Sequence, residues 1–225
     1  MATLSVSGSA THRHRAERGV VHLTVGFDGD DREAVVRDTA AVHSRLTEQA
    51  TAWRRQEAAT WWSAQSVTVA IETEATADRG DGADATRASS VVRFRTRAAV
   101  DVRFSDFDAL ASWVGEVAVE PGVTVEWIEW SLSHDRRPEV EKAVRVAAIA
   151  DAVTRAGDYA EALGLGRPTL QSVFEPGLRP GAPGVGSPFG LARAVATFSS
   201  GGPVTFDLHP DDIEVTAEVS ADFVA

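Results

Sequence analysis

The chain contains no cysteine, which excludes disulfides, thiol nucleophiles, iron–sulfur clusters and cysteine-based zinc sites. Lysine occurs only at Lys142, so arginine supplies nearly all the positive charge, a bias that matches a GC-rich coding sequence and carries no function by itself. Positive charge is short overall: 22 Lys and Arg face 33 Asp and Glu, a net charge of −11. General binding to nucleic acid or to anionic membranes needs a positive field, so both are read as absent. No uninterrupted apolar run reaches the roughly 18 residues that a membrane span requires. Residues 1–19 lack the apolar core of a secretory signal, and a cytoplasmic protein is expected. Chemical motifs are missing too. Gly164-Leu165-Gly166 lacks the third glycine of a dinucleotide fingerprint and follows a helix pattern, not a strand. His12 and His14 have no nearby third ligand to complete a metal site, and no local Ser/His spacing makes a triad. The sequence therefore assigns no catalytic residue, no cofactor and no metal.

What remains is a strongly patterned globular chain. Pro138 to Gly166 reads as a long helix, with a proline in its first turn, Gly164 at its left-handed cap and Pro168 beyond. Val146, Ile149, Val153, Ala156, Ala160 and Leu163 recur at spacings of three and four, so they are expected to form its buried face. A second long helix is expected from Asp30 or Asp31 to about Gln56, on the same sheet face as the first. A shorter one follows Ser105-Asp106-Phe107-Asp108, which resembles a capping box, and ends at Pro121-Gly122. Two-residue alternation marks strands at Leu4–Ala10, Gly19–Phe27, Ser66–Glu74, Val92–Phe104, Val123–Ser133, Leu170–Glu175 and Asp212–Val224. His12 and His14 fall in the expected turn between the first two strands. Residues 75–87 read as a loop, and Pro176 to Gly190 as a proline- and glycine-rich surface excursion. Trp53, Trp61 and Trp62 read as core or interface rather than as a binding box. The expected architecture is α+β: a mixed, largely antiparallel sheet carrying two long helices and one shorter one. It is read as one domain over residues 1–225.

The strand Val92–Phe104 holds the one candidate site. Val92, Phe94, Thr96, Ala98, Val100, Val102 and Phe104 share one face, while Arg93, Arg95 and Arg97 project from the other, near Glu72 and Glu74 on the preceding strand. Either these arginines form a solvated, ion-paired surface or they make a platform for an anion or a partner.

Four stretches together resemble one family. They are Leu4-Ser5-Val6-Ser7-Gly8-Ser9-Ala10, with Ser9 where an acidic residue is common, Ile128-Glu129-Trp130-Ser131-Leu132-Ser133, the alanine-rich Ala143 to Gly164, and the closing Ile213 to Phe223. In this order they are similar to the SIMPL-domain family of bacterial YggE-like proteins associated with oxidative-stress defence. The resemblance implies an α+β domain, members that are commonly secreted or periplasmic, and no catalytic residues to carry over. The leading expectation is a non-enzymatic assembly or interaction protein that self-associates, stress-related by resemblance. The alternative is an anion- or small-molecule-binding protein using the arginine face.

Overall fold

In the computed structural model, which describes residues 2–77, 88–180, 195–196 and 210–225, the elements run β1 (Thr3–His14), β2 (Arg18–Val25), β3 (Asp28–Gly29), α1 (Arg32–Arg55), β4 (Ala59–Ala64), β5 (Thr68–Ala77), β6 (Ala88–Phe104), α2 (Phe107–Val117), β7 (Val123–Ser131), α3 (Arg136–Ala162), β8 (Thr169–Phe174), β9 (Val195–Ala196) and β10 (Ile213–Val224). The α+β class is as expected. The strands divide between two sheets, and the contacts group the chain into two compact units, one from residues 1–17, 131–194 and 210–225, the other from 18–130 and 195–209.

In the first unit β10 lies between β1 and β8, antiparallel to both. Alternation buries Ile213, Val215, Ala217, Val219, Ala221 and Phe223 on one face of β10, where α3 covers it together with β1. This corrects the reading of His12 and His14. They are paired strand residues of β1, opposite Val215 and Ile213, and the turn follows them. The strand runs longer than its apolar pattern because β10 is long enough to pair all of it.

The helix α3 turns a different face inward from the one its valines suggest. Val140, Val144, Ala148, Ala152, Ala156 and Ala160 are buried, a ridge of every fourth residue that winds slowly around the helix. Ala156 and Ala160 were expected there. Val146, Ile149, Val153 and Leu163 were expected there too, and are instead 60%, 38%, 48% and 63% exposed. The cause is a close approach at Gly8 of β1, where a β-carbon would stand 2.1 Å from the Ala148 carbonyl oxygen and 2.6 Å from the Ala152 backbone nitrogen. Only alanine fits so near the strand. Asp151 adds a latch, its Oδ2 accepting the Ser9 N–H at 2.9 Å. The helix starts two residues before Pro138, which sits harmlessly in the first turn. At its other end Gly164, at φ 64°, donates to the Glu161 carbonyl, and Leu165 donates to Ala160, closing the helix with a left-handed cap.

In the second unit the strand order is β3-β6-β2-β7-β9, with β4 and β5 also paired to β6. The 17-residue β6 is the spine. On one edge it pairs first with β5 and then with β4, and on the other with β3 and then β2, both changes falling near Ala98. The strand exchanges its neighbours at that point. α1 and α2 cover its apolar face, enclosing Phe104, Val102, Val100, Leu46, Leu110 and Trp113. The two long helices thus lie on different sheets, not side by side on one. Strand, helix, strand is present as β6–α2–β7, with β2 inserted between the two strands. Asp31 caps α1, accepting from the Glu33 and Ala34 N–H groups. Asp106, one residue past the expected Ser105, caps α2. Thr39 of α1 and Thr96 of β6 are buried polar residues that bond to each other. The expected loop at residues 75–87 lies mostly outside the described residues, as does the excursion beyond Pro180.

The close approach at Gly8 predicts that Gly8→Val costs about 1 to 3 kcal/mol or more in urea unfolding, through overpacking. Ile149→Asp, on the outward face, should cost less than about 1 kcal/mol. The latch predicts a pH effect. The Ser9 N–H bond first, and then Arg155, hold the Asp151 carboxyl below the usual range against its partial burial. A depressed folded-state value stabilises the protein above the unfolded carboxylate pKa of about 3.9, and that stability is lost as pH falls through the depressed value. Melting curves of Asp151→Asn should therefore fall less steeply below about pH 4 than those of the parent.

Candidate functional site

Three surfaces carry chemistry that packing does not explain. The arginine row lies on β6 as its alternation requires, and Arg93, Arg95 and Arg97 are all exposed. The sheet brings acids to its centre. Arg95 Nε donates to Asp28 of β3 at 2.8 Å and its Nη1 to Glu72 of β5 at 2.7 Å. Glu72 stands opposite Arg93 in register, so its reach to Arg95 is diagonal. Asp28 was not foreseen as a partner, because its strand is only two residues long. The side chain of Glu74 lies outside those described.

On the same outward face, β6, β2 and β7 bring together residues that sequence reasoning passed over. His22 of β2 donates through Nδ1 to Asp101 of β6 at 2.7 Å, and its Nε2 lies 3.7 Å from Glu129 of β7. Trp127 stacks on the imidazole, ring centroids 4.6 Å apart. One strand further out, the Arg103 guanidinium sits 5.1 Å from the centroid of Trp61. His22 could have been marked as outward-facing from the alternation Val20-Val21-His22-Leu23, but its neighbours depend on strand order. Ser63 of β4 stands opposite Asp101 in register. The carboxylate is thus between serine and imidazole, whereas nucleophile activation needs the imidazole between serine and acid. This face is arranged to hold its residues and to present two half-exposed tryptophans, Trp61 and Trp127, both 38% exposed.

Of the tryptophans expected in the core or at an interface, Trp53 and Trp62 are half-buried and Trp61 is exposed. Trp53 meets Phe104 edge-on at 6.3 Å, while Trp62 lines an open depression of about 350 Å³ with Thr47, Glu48, Thr51 and Arg55. Such a hollow, open and walled by few apolar groups, differs from the enclosed apolar sites that bind small ligands.

The third surface belongs to α3, where Val146, Ile149 and Val153 face solvent with Ala143 and Ala150. In the same unit, Arg179 ties the start of the proline-rich excursion to the sheet, donating to Ser220 at 2.7 Å and to Asp222 at 2.5 Å. Ser5, ahead of Arg179, holds the Asp222 carboxyl below its usual range. Among the described residues no group of His, Asp and Glu is placed to hold a metal ion, and no helix is long and apolar enough to cross a membrane.

These surfaces sit on an antiparallel α+β framework. The chain belongs to the SIMPL family, described as a protein of unknown function (DUF541), whose model matches residues 4–223. A comparison with curated proteins gives no match.

The two ion pairs on the sheet differ in burial, and this generates a prediction. His22 and Asp101 have side chains only 20% and 24% exposed, against 53% and 46% for Arg95 and Glu72. A double-mutant cycle should give about 1.5 kcal/mol or more for His22–Asp101, as a partly buried bond to a charged acceptor. The Arg95–Glu72 cycle should give about 0 to 1 kcal/mol.

Proposed function

We propose that the protein is a non-enzymatic assembly protein that works by associating with itself. The observation that carries this reading is the outward face of α3, with Val146 60% exposed and Val153 48% exposed in the middle of a 27-residue helix. From Ala148 onward the helix buries only alanines, while Val146, Ile149 and Val153 stand in water, where a partner would cover them. The exposed tryptophans add area of the kind enriched at interfaces. The His22 face supports the same reading, since its order of serine, carboxylate and imidazole does not activate a nucleophile. A stress-related role enters through the family resemblance alone. The match across both compact units favours treating them as parts of one domain.

Light scattering coupled to gel filtration, over about a hundredfold range of concentration, tests the reading. The mass per particle is expected to rise with concentration; one chain per particle throughout the range overturns it.

A second reading uses the arginine row as an anion site, favoured by three exposed guanidinium groups on one strand face. The carboxylates already on Arg95 weigh against it, because an incoming anion would have to displace them. Phosphate at low millimolar concentration is therefore expected to leave the melting temperature unchanged in the parent and in the Arg93, Arg95 and Arg97 triple glutamine variant alike. A saturating rise in the parent that the variant loses would establish the anion site.

A further inference from the structure

We infer that the self-association proposed above, on which this inference rests, is made by α3 packing antiparallel against α3 of a second copy. The outward face carries a pattern more specific than exposed valine. Ala143, Val146, Ala150, Val153 and Gly157 follow one another at spacings of three, four, three and four, the seam of a helix that packs lengthwise on another. The small residues Ala143, Ala150 and Gly157 are seven apart, and the valines lie between them. A β-carbon at Gly157 would have nothing within 4 Å. The seam lies opposite Ala148 and Ala152, which hold the helix to β1, so it is used by nothing in its own sheet.

The occupant is set by self-complementarity. When a second copy of the helix is laid antiparallel, Val146 of one copy comes level with Gly157 of the other, and Ala150 with Val153. The four layers between Val146 and Gly157 then each pair a large residue with a small one, which matches their volumes along the middle of the seam, and Ala143 lies beyond them at either end. The same register brings Lys142, the chain's one lysine, level with Glu161 of the other copy, twice by symmetry, and both are exposed. A parallel pairing would set Lys142 against Lys142 and glycine against glycine. Antiparallel packing also opposes the two helix dipoles. From Ala143 to Gly157 the seam is about 20 Å long, which places the contact at the low end of specific interfaces. Association through it is accordingly weak and concentration-dependent, and Ile149 beside the seam adds to the area covered.

Sedimentation equilibrium on the full chain tests this with four variants: Val153→Glu, Lys142→Glu, Glu161→Lys, and the double reversal of Lys142 and Glu161. All three substituted positions are exposed, and far-ultraviolet circular dichroism with a thermal melt checks that each of the four variants folds. Val153→Glu is expected to weaken association by about tenfold or more. Each single reversal should weaken it by about two- to fivefold, and the double reversal should restore it. Parent association that Val153→Glu leaves unchanged, or single reversals that stay weak when combined, would overturn the antiparallel pairing while leaving self-association standing. A parent that remains monomeric throughout overturns both.

Discussion

The constraint on which the first compact unit depends is the contact between the backbone of α3 and the strand β1 at Gly8. A strand and a helix normally stand apart by the depth of their side chains. Here glycine on one side and Ala148 and Ala152 on the other reduce that depth to almost nothing. Three consequences follow from the short distance. Beside Gly8 the buried ridge of α3 must be built from small residues, the Asp151 carboxylate comes within reach of the Ser9 N–H, and Val146, Ile149 and Val153 have no place inside. The residues Val6-Ser7-Gly8-Ser9, which resemble the family's opening motif, thus act as a docking surface for a helix. Ser9 contributes a backbone N–H to that surface, so its side chain is free to differ from the acidic residue common at this position.

Much of this architecture was legible in the sequence, and its limits have physical causes. Alternation identified β10 residue by residue and the inward face of β6 from Thr96 to Phe104, because a strand's period is a property of its own backbone, whereas Val92, expected on that face, is 43% exposed. Helix ends were legible for the same reason: Asp31 and Gly164 satisfy or terminate local hydrogen bonds. Pairing was less so. Nothing in the alternation of Leu4 to Ala10 says that the strand continues through His12 and His14, since its length is set by β10, some 200 residues away. The face of α3 was misjudged because a reading by hydrophobicity favours valine and isoleucine over alanine, whereas close approach selects for small size. The arginine face was visible, but of the two carboxylates that hold Arg95 only Glu72 was, because Asp28 reaches it from a two-residue strand. The His22 cluster needed the order β6-β2-β7 before its members could be neighbours.

The same economy links the fold to the proposed role. A helix about 40 Å long that from Ala148 onward holds its sheet with alanines has Val146 and Val153 available for another task, and their spacing suits a second helix. The polar outward face of the second unit is organised differently, with His22 and Arg95 each set between two carboxylates. Groups paired in this way are held in place, which suits a surface that presents Trp61 and Trp127 to a partner more than one that performs chemistry.

The account stands or falls on which face of α3 is inside. The absence of cysteine allows a direct measurement, since any cysteine introduced is the only thiol in the chain. Single cysteines at positions 146, 149 and 153, and separately at 148 and 152, would be exposed to a thiol reagent under native conditions at low protein concentration. The account predicts rapid labelling at the first three and, at 148 and 152, labelling only as the protein unfolds. Protection at 146, 149 and 153 with rapid labelling at 148 and 152 would contradict it.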